Sequence, residues 1–232
     1  MPPAVSRSSR KLGSVVGLIV GDALGATNEF KAPGSFEPIT DMVGGGPFNL
    51  PPGAWTDDSS MALCLAESLV ECGGFDLQDQ MERYLRWREE GYWSSIGRCF
   101  DVGLTTHHAL VRFKRNGHAL AGSVDAGSAG NGSVMRLAPV VAWAEADVPR
   151  AIRLARDSSR TTHRAAEAVD GCELLARLLL GAYRGEDVTV PMNGVMAAWS
   201  PALHAVAAMR GSPGSAPMHQ PTGYVVDTLG CA

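Results

Sequence analysis

The chain has 232 residues, a length that suits one domain with a sizeable buried core and no need of metal or disulfide staples. With 45% apolar and 19% charged residues it is not a disordered chain, and a net charge of −4 argues against a nucleic-acid binder working by bulk electrostatics. Five widely spaced cysteines (Cys64, Cys72, Cys99, Cys172, Cys231) form no C-x-x-C pair and read as reduced thiols of a cytoplasmic protein.

In chain order, Arg7, Arg10 and Lys11 precede the apolar run Leu12 to Val20, which has the outline of a signal peptide. Asp22 interrupts it, and the run is far short of the ~20 apolar residues a membrane span needs. The expectation is a helix over Gly13–Ala26 behind a disordered 1–11, within a single domain spanning 1–232. Lys31 to Ala54 holds Gly44-Gly45-Gly46 and five prolines, and reads as a long functional loop. Met61, Leu65, Leu69 and Cys72 then fall at spacings of four, four and three, predicting an amphipathic helix over Thr56–Cys72 that Gly73-Gly74 stops. A helix over Asp76–Glu90 follows, stopped by Gly91, and another over Val102–Lys114. Asn116 to Gly132 is a second irregular stretch. Further helices are expected at Ser133–Ala146, Arg150–Arg156, Ala165–Arg184 and Val195–Met209. Period-two runs of β-branched and aromatic residues are nearly absent, so the predicted fold class is all-α.

Three stretches carry chemistry. Trp55-Thr56-Asp57-Asp58-Ser59-Ser60-Met61 sets oxygen-bearing side chains at a helix start. They suit an N-cap, with Thr56 capping and both aspartates complementing the helix dipole. They equally suit a hard divalent cation, which would relieve the repulsion of adjacent carboxylates. Gly21-Asp22-Ala23-Leu24-Gly25 leads to Glu29, a candidate general base, although Asp22 also suits a local cap and the two glycines close helix packing. Gly127 to Pro139 is a glycine-rich loop opening a helix, which suits either an anion site made of backbone N–H groups or a linker; its spacing matches neither the P-loop nor the dinucleotide fingerprint.

In this order, G-D-A-L-G-x-x-x-E, W-T-D-D-S-S-M and G-S-x-G-N-G-S-x-M-R-x-A-P resemble the ADP-ribosylglycohydrolase family, from about Gly13 to the end of the chain. The resemblance implies an all-α, orthogonal multi-helix fold with a binuclear Mg²⁺ or Mn²⁺ centre. It implies Thr56, Asp57 and Asp58 as metal ligands and Glu29 and Asp58 as catalytic carboxylates. Gly127, Ser128, Ala129, Gly130 and Asn131 are implied as the loop around diphosphate and ribose, with His163 near the substrate and Arg136 as structural support. His107-His108 matches nothing in that site and reads as helix surface. The family's remaining metal ligands occupy a G-x-D-x-D-T segment that this chain lacks; Thr222 to Leu229 resembles the helix before it. The domain is therefore expected to lack its last helices and half of the metal cage.

The implied activity is metal-dependent cleavage of the glycosidic bond between ADP-ribose and an acceptor, a protein side chain or a small conjugate. No nucleic-acid or membrane partner is expected. The alternatives are a catalytically impaired remnant that at most binds ADP-ribose, or a structural protein on the same scaffold.

Overall fold

The computed structural model describes residues 5–32, 34–187, 199–209 and 222–231. Among these the structure is helical, and its β contacts (Gly45 with Leu50, Ser123 with His163, Gly130 with Tyr224) are isolated bridges rather than strands. The all-α expectation holds.

Helix α1 (Arg7–Gly25) starts before Gly13 because Ser6 caps it, its Oγ accepting from the Ser9 amide at 3.1 Å. Residues 7–11, expected to be disordered, are thus helical. Arg7 and Lys11 pair with Glu145 at 3.4 and 3.3 Å, and Arg10 Nη1 donates to the Ala182 carbonyl at 3.2 Å. One side of α1 rests on later helices, while Leu12, Val16 and Val20, four apart on another side, are exposed. No described helix is long and apolar enough to cross a membrane.

Helices α2 (Asp57–Glu71), α3 (Leu77–Glu90), α4 (Leu104–Asn116) and α7 (Ala166–Arg184) lie close to where periodicity puts them. Asp76 caps α3 by accepting from the Gln78 and Asp79 amides at 2.8 and 3.0 Å. Helix α6 (Val148–Arg160) is longer than expected at both ends, capped by Asp147. The larger correction concerns Ser133–Ala146, where only Ala138–Ala144 (α5) is helical. Pro139 has no N–H to donate back, so a helix running through it from Ser133 would lose a hydrogen bond, and residues 131–137 form tight turns instead. Helix α8 (Pro201–Met209) is the described part of the expected Val195–Met209; the rest lies outside the described residues. Helix α9 (Val225–Cys231) follows Tyr224, whose hydroxyl donates to Glu167 on α7 at 2.6 Å.

The main core takes Met61 and Leu65 from α2, Tyr84 and Trp87 from α3, Leu110, Val140, Leu174 and Leu203, all buried. Each large side chain so buried contributes roughly 1.5–3 kcal/mol. A smaller core joins Ala26, Leu50 and Ala54, with Phe48, Ile96 and Phe100 against them. Phe48 meets Phe100 edge-on at 5.3 Å and Phe30 at 6.3 Å, so three loops are pinned together. Gly46 makes this possible. Its φ is +66°, and a Cβ there would stand 2.3 Å from the Ala26 carbonyl oxygen.

Candidate active site

The site begins with a carboxylate that does no chemistry. Asp22, near the end of α1, accepts from the Thr56 amide at 3.0 Å, the Ser59 amide at 3.0 Å, Thr56 Oγ1 at 2.8 Å and Ser59 Oγ at 2.6 Å. It is the N-cap of α2, supplied from another helix, and it places a negative charge at the positive helix end. Thr56 makes no side-chain cap of its own; its hydroxyl hydrogen is committed to Asp22. This fixes the first turn of α2 against α1 and turns Asp57 and Asp58 toward a cavity of about 1200 Å³.

Glu29, Asp57, Asp58 and Asp101 meet in that cavity. Burial first, then the neighbouring Asp101, Asp58 and Asp22 charges, push Glu29 up to about 8. Its carboxyl donates to Asp101, and its Oε2 is buried without a partner. Burial, Asp22 and Asp101 raise Asp58 to about 7. Asp57 and Asp101 are also raised, in each case chiefly by burial. The cluster therefore holds protons near neutrality and can give or take them there. Asp101 is held at φ +57° and Phe30, beside Glu29, at φ +60°, conformations that L-residues adopt at a cost. The Phe30–Phe48–Phe100 contacts keep these loops in place.

Asn131 lines the same cavity, its backbone N–H donating to Gly223 O at 2.9 Å and its side chain to Thr228 Oγ1 at 3.2 Å. Gly127 and Ser128 line a smaller adjoining cavity, which meets the first at Leu104. Ala129 is buried, and Val225 N donates to its carbonyl at 3.0 Å. Gly130 packs on His163, from which an added Cβ would be 3.2 Å. His163 is buried beneath this loop, with Nδ1 2.8 Å from Thr162 Oγ1 and a pKa pushed down to about 3 by burial and Arg136. It is a neutral prop under the loop rather than a side chain facing the cavity. Arg136 is fully buried: Nη1 donates to Gly132 O at 2.7 Å and Nη2 to Thr162 Oγ1 at 2.7 Å, binding the loop to the α6–α7 turn.

A model of the ADP-ribosylglycohydrolase family matches residues 3–232. The chain belongs to that family. It is 40% identical over 223 residues to the ADP-ribosylarginine hydrolase Tri1 of Pseudomonas putida (strain GB-1), covering 96% of this chain and 60% of that protein. It is 39% identical over 134 residues to the ADP-ribosyl-[dinitrogen reductase] glycohydrolase of Rhodospirillum rubrum, covering 56% and 43% respectively. A solved structure titled ADP-ribosylglycohydrolase-related protein complex superposes with a TM-score of 0.80 at 44% identity, covering 97% of this chain and 74% of that one. The chain thus spans about 60% or less of the length of these two curated relatives.

For this member of the ADP-ribosylglycohydrolase family, the oxygen-rich donors Thr56, Asp57 and Asp58 suit a hard divalent cation chemically. A cluster of carboxyls pushed toward protonation would also gain from one. The fit is partial, because among the described residues no three His, Cys, Asp or Glu side chains converge as a cage for one ion. Sequence reasoning brought Glu29, Asp57, Asp58 and Asn131 to one cavity. It missed Asp101, whose only sequence signal is a lone acid two residues before Gly103 and a helix start. It also left Asp22 as a local cap, whereas its partners are 34 and 37 positions away.

Proposed function

We propose that this chain hydrolyses the glycosidic bond between ADP-ribose and an acceptor, with ADP-ribosylated arginine as the acceptor class. The observation that carries the reading is the meeting of Glu29, Asp57, Asp58 and Asp101 in one cavity of about 1200 Å³. Family membership and the similarity to an ADP-ribosylarginine hydrolase support the substrate. The four described free cysteines are in keeping with a cytoplasmic setting.

Cleavage at the anomeric carbon builds positive charge on the ribose, which ionised carboxylates in the cavity stabilise. Asp58 takes the proton of the attacking water at its carboxylate as the bond from the anomeric carbon to the acceptor nitrogen breaks, and that proton passes on to the leaving guanidine. Glu29, protonated until about pH 8 and bonded to Asp101, holds the ribose hydroxyls. The Gly127–Asn131 loop, its own N–H groups spent on Asp125, Ala126, Ser128 and Gly223, offers the diphosphate a fixed surface rather than free backbone donors. Asp57, Asp58 and the Thr56 hydroxyl would hold Mg²⁺ or Mn²⁺; when bound, such an ion lowers the pKa of a water and orients ribose oxygens.

The test is release of free ADP-ribose from an ADP-ribosylated arginine peptide by the purified chain, with Mg²⁺ or Mn²⁺ and with chelator. Metal-dependent release that Asp58→Asn abolishes is the expected result. Release unaffected by Asp58→Asn would sink the reading.

A further inference from the structure

Leu104, His108 and Arg112 recur every four residues on α4 and so share one face. Leu104 borders both the carboxylate cavity and a second cavity of about 330 Å³, where His108 and Arg112 meet Gly127, Ser128 and Asp125, the last accepting from the Gly127 amide at 2.8 Å. Arg112 also borders a third, of about 550 Å³, with Asn116, His118 and Arg164. The three cavities therefore follow one another along the α4 face, each sharing a lining residue with the next, and together make a groove. At 1.5 Å per residue, Arg112 stands about 12 Å beyond Leu104.

The far end of this groove is cationic and fixed. Arg112 Nε donates to the Ala121 carbonyl at 2.7 Å, and Arg164 Nη1 donates to the preceding carbonyl, Leu120 O, at 3.4 Å. The segment carrying both carbonyls cannot drift. Gly122 N donates to Arg160 O at 3.1 Å, Arg164 N donates to Ser123 O at 2.9 Å, and a Cβ on Gly122 would be 2.7 Å from the Arg164 and His163 nitrogens. Two like charges are thus held on successive carbonyls. Among the described residues, neither guanidinium lies within ion-pair distance of a carboxylate, and Arg112 Nη2 is buried with no acceptor. Asn116 accepts from the His118 amide at 3.0 Å, which leaves its side-chain N–H₂ free to donate into the pocket beside the His118 ring.

A pre-formed pair of guanidinium forks without an acid partner fits a planar or tetrahedral oxyanion, and most closely a phosphate. We propose that Arg112 and Arg164, with His118 and Asn116, form a phosphate-binding subsite at the end of the α4 groove. Resting on the function proposed above, the groove runs from the scissile ribose past the Gly127–Ser128 loop toward the adenosine end of the nucleotide. The phosphate it takes is one borne beyond that adenosine, such as a 2′-phosphate or the pyrophosphate of a further ADP-ribosyl unit. A free oligophosphate has the same chemistry and is the other source.

The experiment titrates the full chain, in chelator and low salt, with inorganic pyrophosphate, ADP-ribose and 2′-phospho-ADP-ribose. The native chain is compared with Arg112→Gln, Arg112→Lys and Arg164→Gln, each checked by circular dichroism. Arg164 is exposed, so its variant tests the site even where Arg112→Gln disturbs folding. Expected are at least tenfold weaker pyrophosphate binding in the Gln variants, and a tenfold preference for 2′-phospho-ADP-ribose over ADP-ribose that those variants erase. Arginine-dependent pyrophosphate binding without that preference supports the subsite and assigns it to a free oligophosphate. If ADP-ribose does not bind even in a parallel titration with Mg²⁺ restored, while pyrophosphate binds through both arginines, the proposed function fails and the subsite stands. Absent pyrophosphate binding, or binding that Arg112→Gln and Arg164→Gln leave intact, overturns the subsite.

Discussion

Two acidic regions sit side by side and are treated in opposite ways by the fold. Asp22 accepts from two amides and two hydroxyls at the start of α2. Glu29, Asp57, Asp58 and Asp101, close enough to feel its charge, face mainly one another, and burial together with mutual repulsion drives their pKa values upward. One carboxylate is used to assemble the helix start; the other four are left under strain by the same assembly. The contrast teaches that residue type alone says little here, and that the supply of donors separates a structural acid from a reactive one.

The sharpest way to break this contrast is to neutralise each region in turn. Asp58→Asn should cost about 10²–10⁴-fold in turnover, as expected for loss of a positioned base, while leaving thermal stability unchanged or raised. Asp22→Ala should instead lower stability by about 2–3 kcal/mol, since it strands two amides and two hydroxyls at a helix start; chemical denaturation reads it. Equal stability of the two variants would erase the distinction between the regions.

The pH dependence sharpens it further. Glu29 and Asp58 have ordinary values of 4.5 and 3.8 but hold their protons to about 8 and about 7 in the fold. Between those limits the folded state binds more protons than the unfolded chain, so metal-free stability should fall as pH rises from about 4 to about 8. Melting temperatures across that range in chelator test the sign, and Asp58→Asn should flatten the slope. The smallest effect belongs to Ser59→Ala, which removes one of Asp22's four donors and should cost about 1 kcal/mol in denaturant unfolding without altering that slope.

Helices α2, α3, α4 and α7 were legible because local spacing encodes an apolar face, and α3 and α7 were nearly exact in extent. The Thr56-Asp57-Asp58 start was legible because oxygen-bearing residues before a periodic run have few meanings. What was not legible is what depends on contact across the fold. Asp22 caps a helix that begins 35 positions later, so no local pattern announces it. Asp101 joins the cluster only because an aromatic core holds its loop at a positive φ. His163 looked like a substrate contact, yet the direction of a side chain after Thr162 is set by the loop packed over it. The extent of α5 was legible in Pro139, which cannot donate the bond a helix from Ser133 needs, but the turn that replaces that helix rests on the Arg136 bond to Gly132, which periodicity does not reveal.

That buried arginine has a consequence for motion. Its two nitrogens fasten the Gly132 carbonyl and the Thr161–Thr162 hydroxyls at once, and Tyr84 lies under the guanidinium at 4.7 Å. The Gly127–Gly132 loop and the α6–α7 turn therefore have no independent opening. Their amides should exchange with deuterium as one cooperative unit, and a lysine at position 136, a single point of charge where a fork is needed, should split that unit in two.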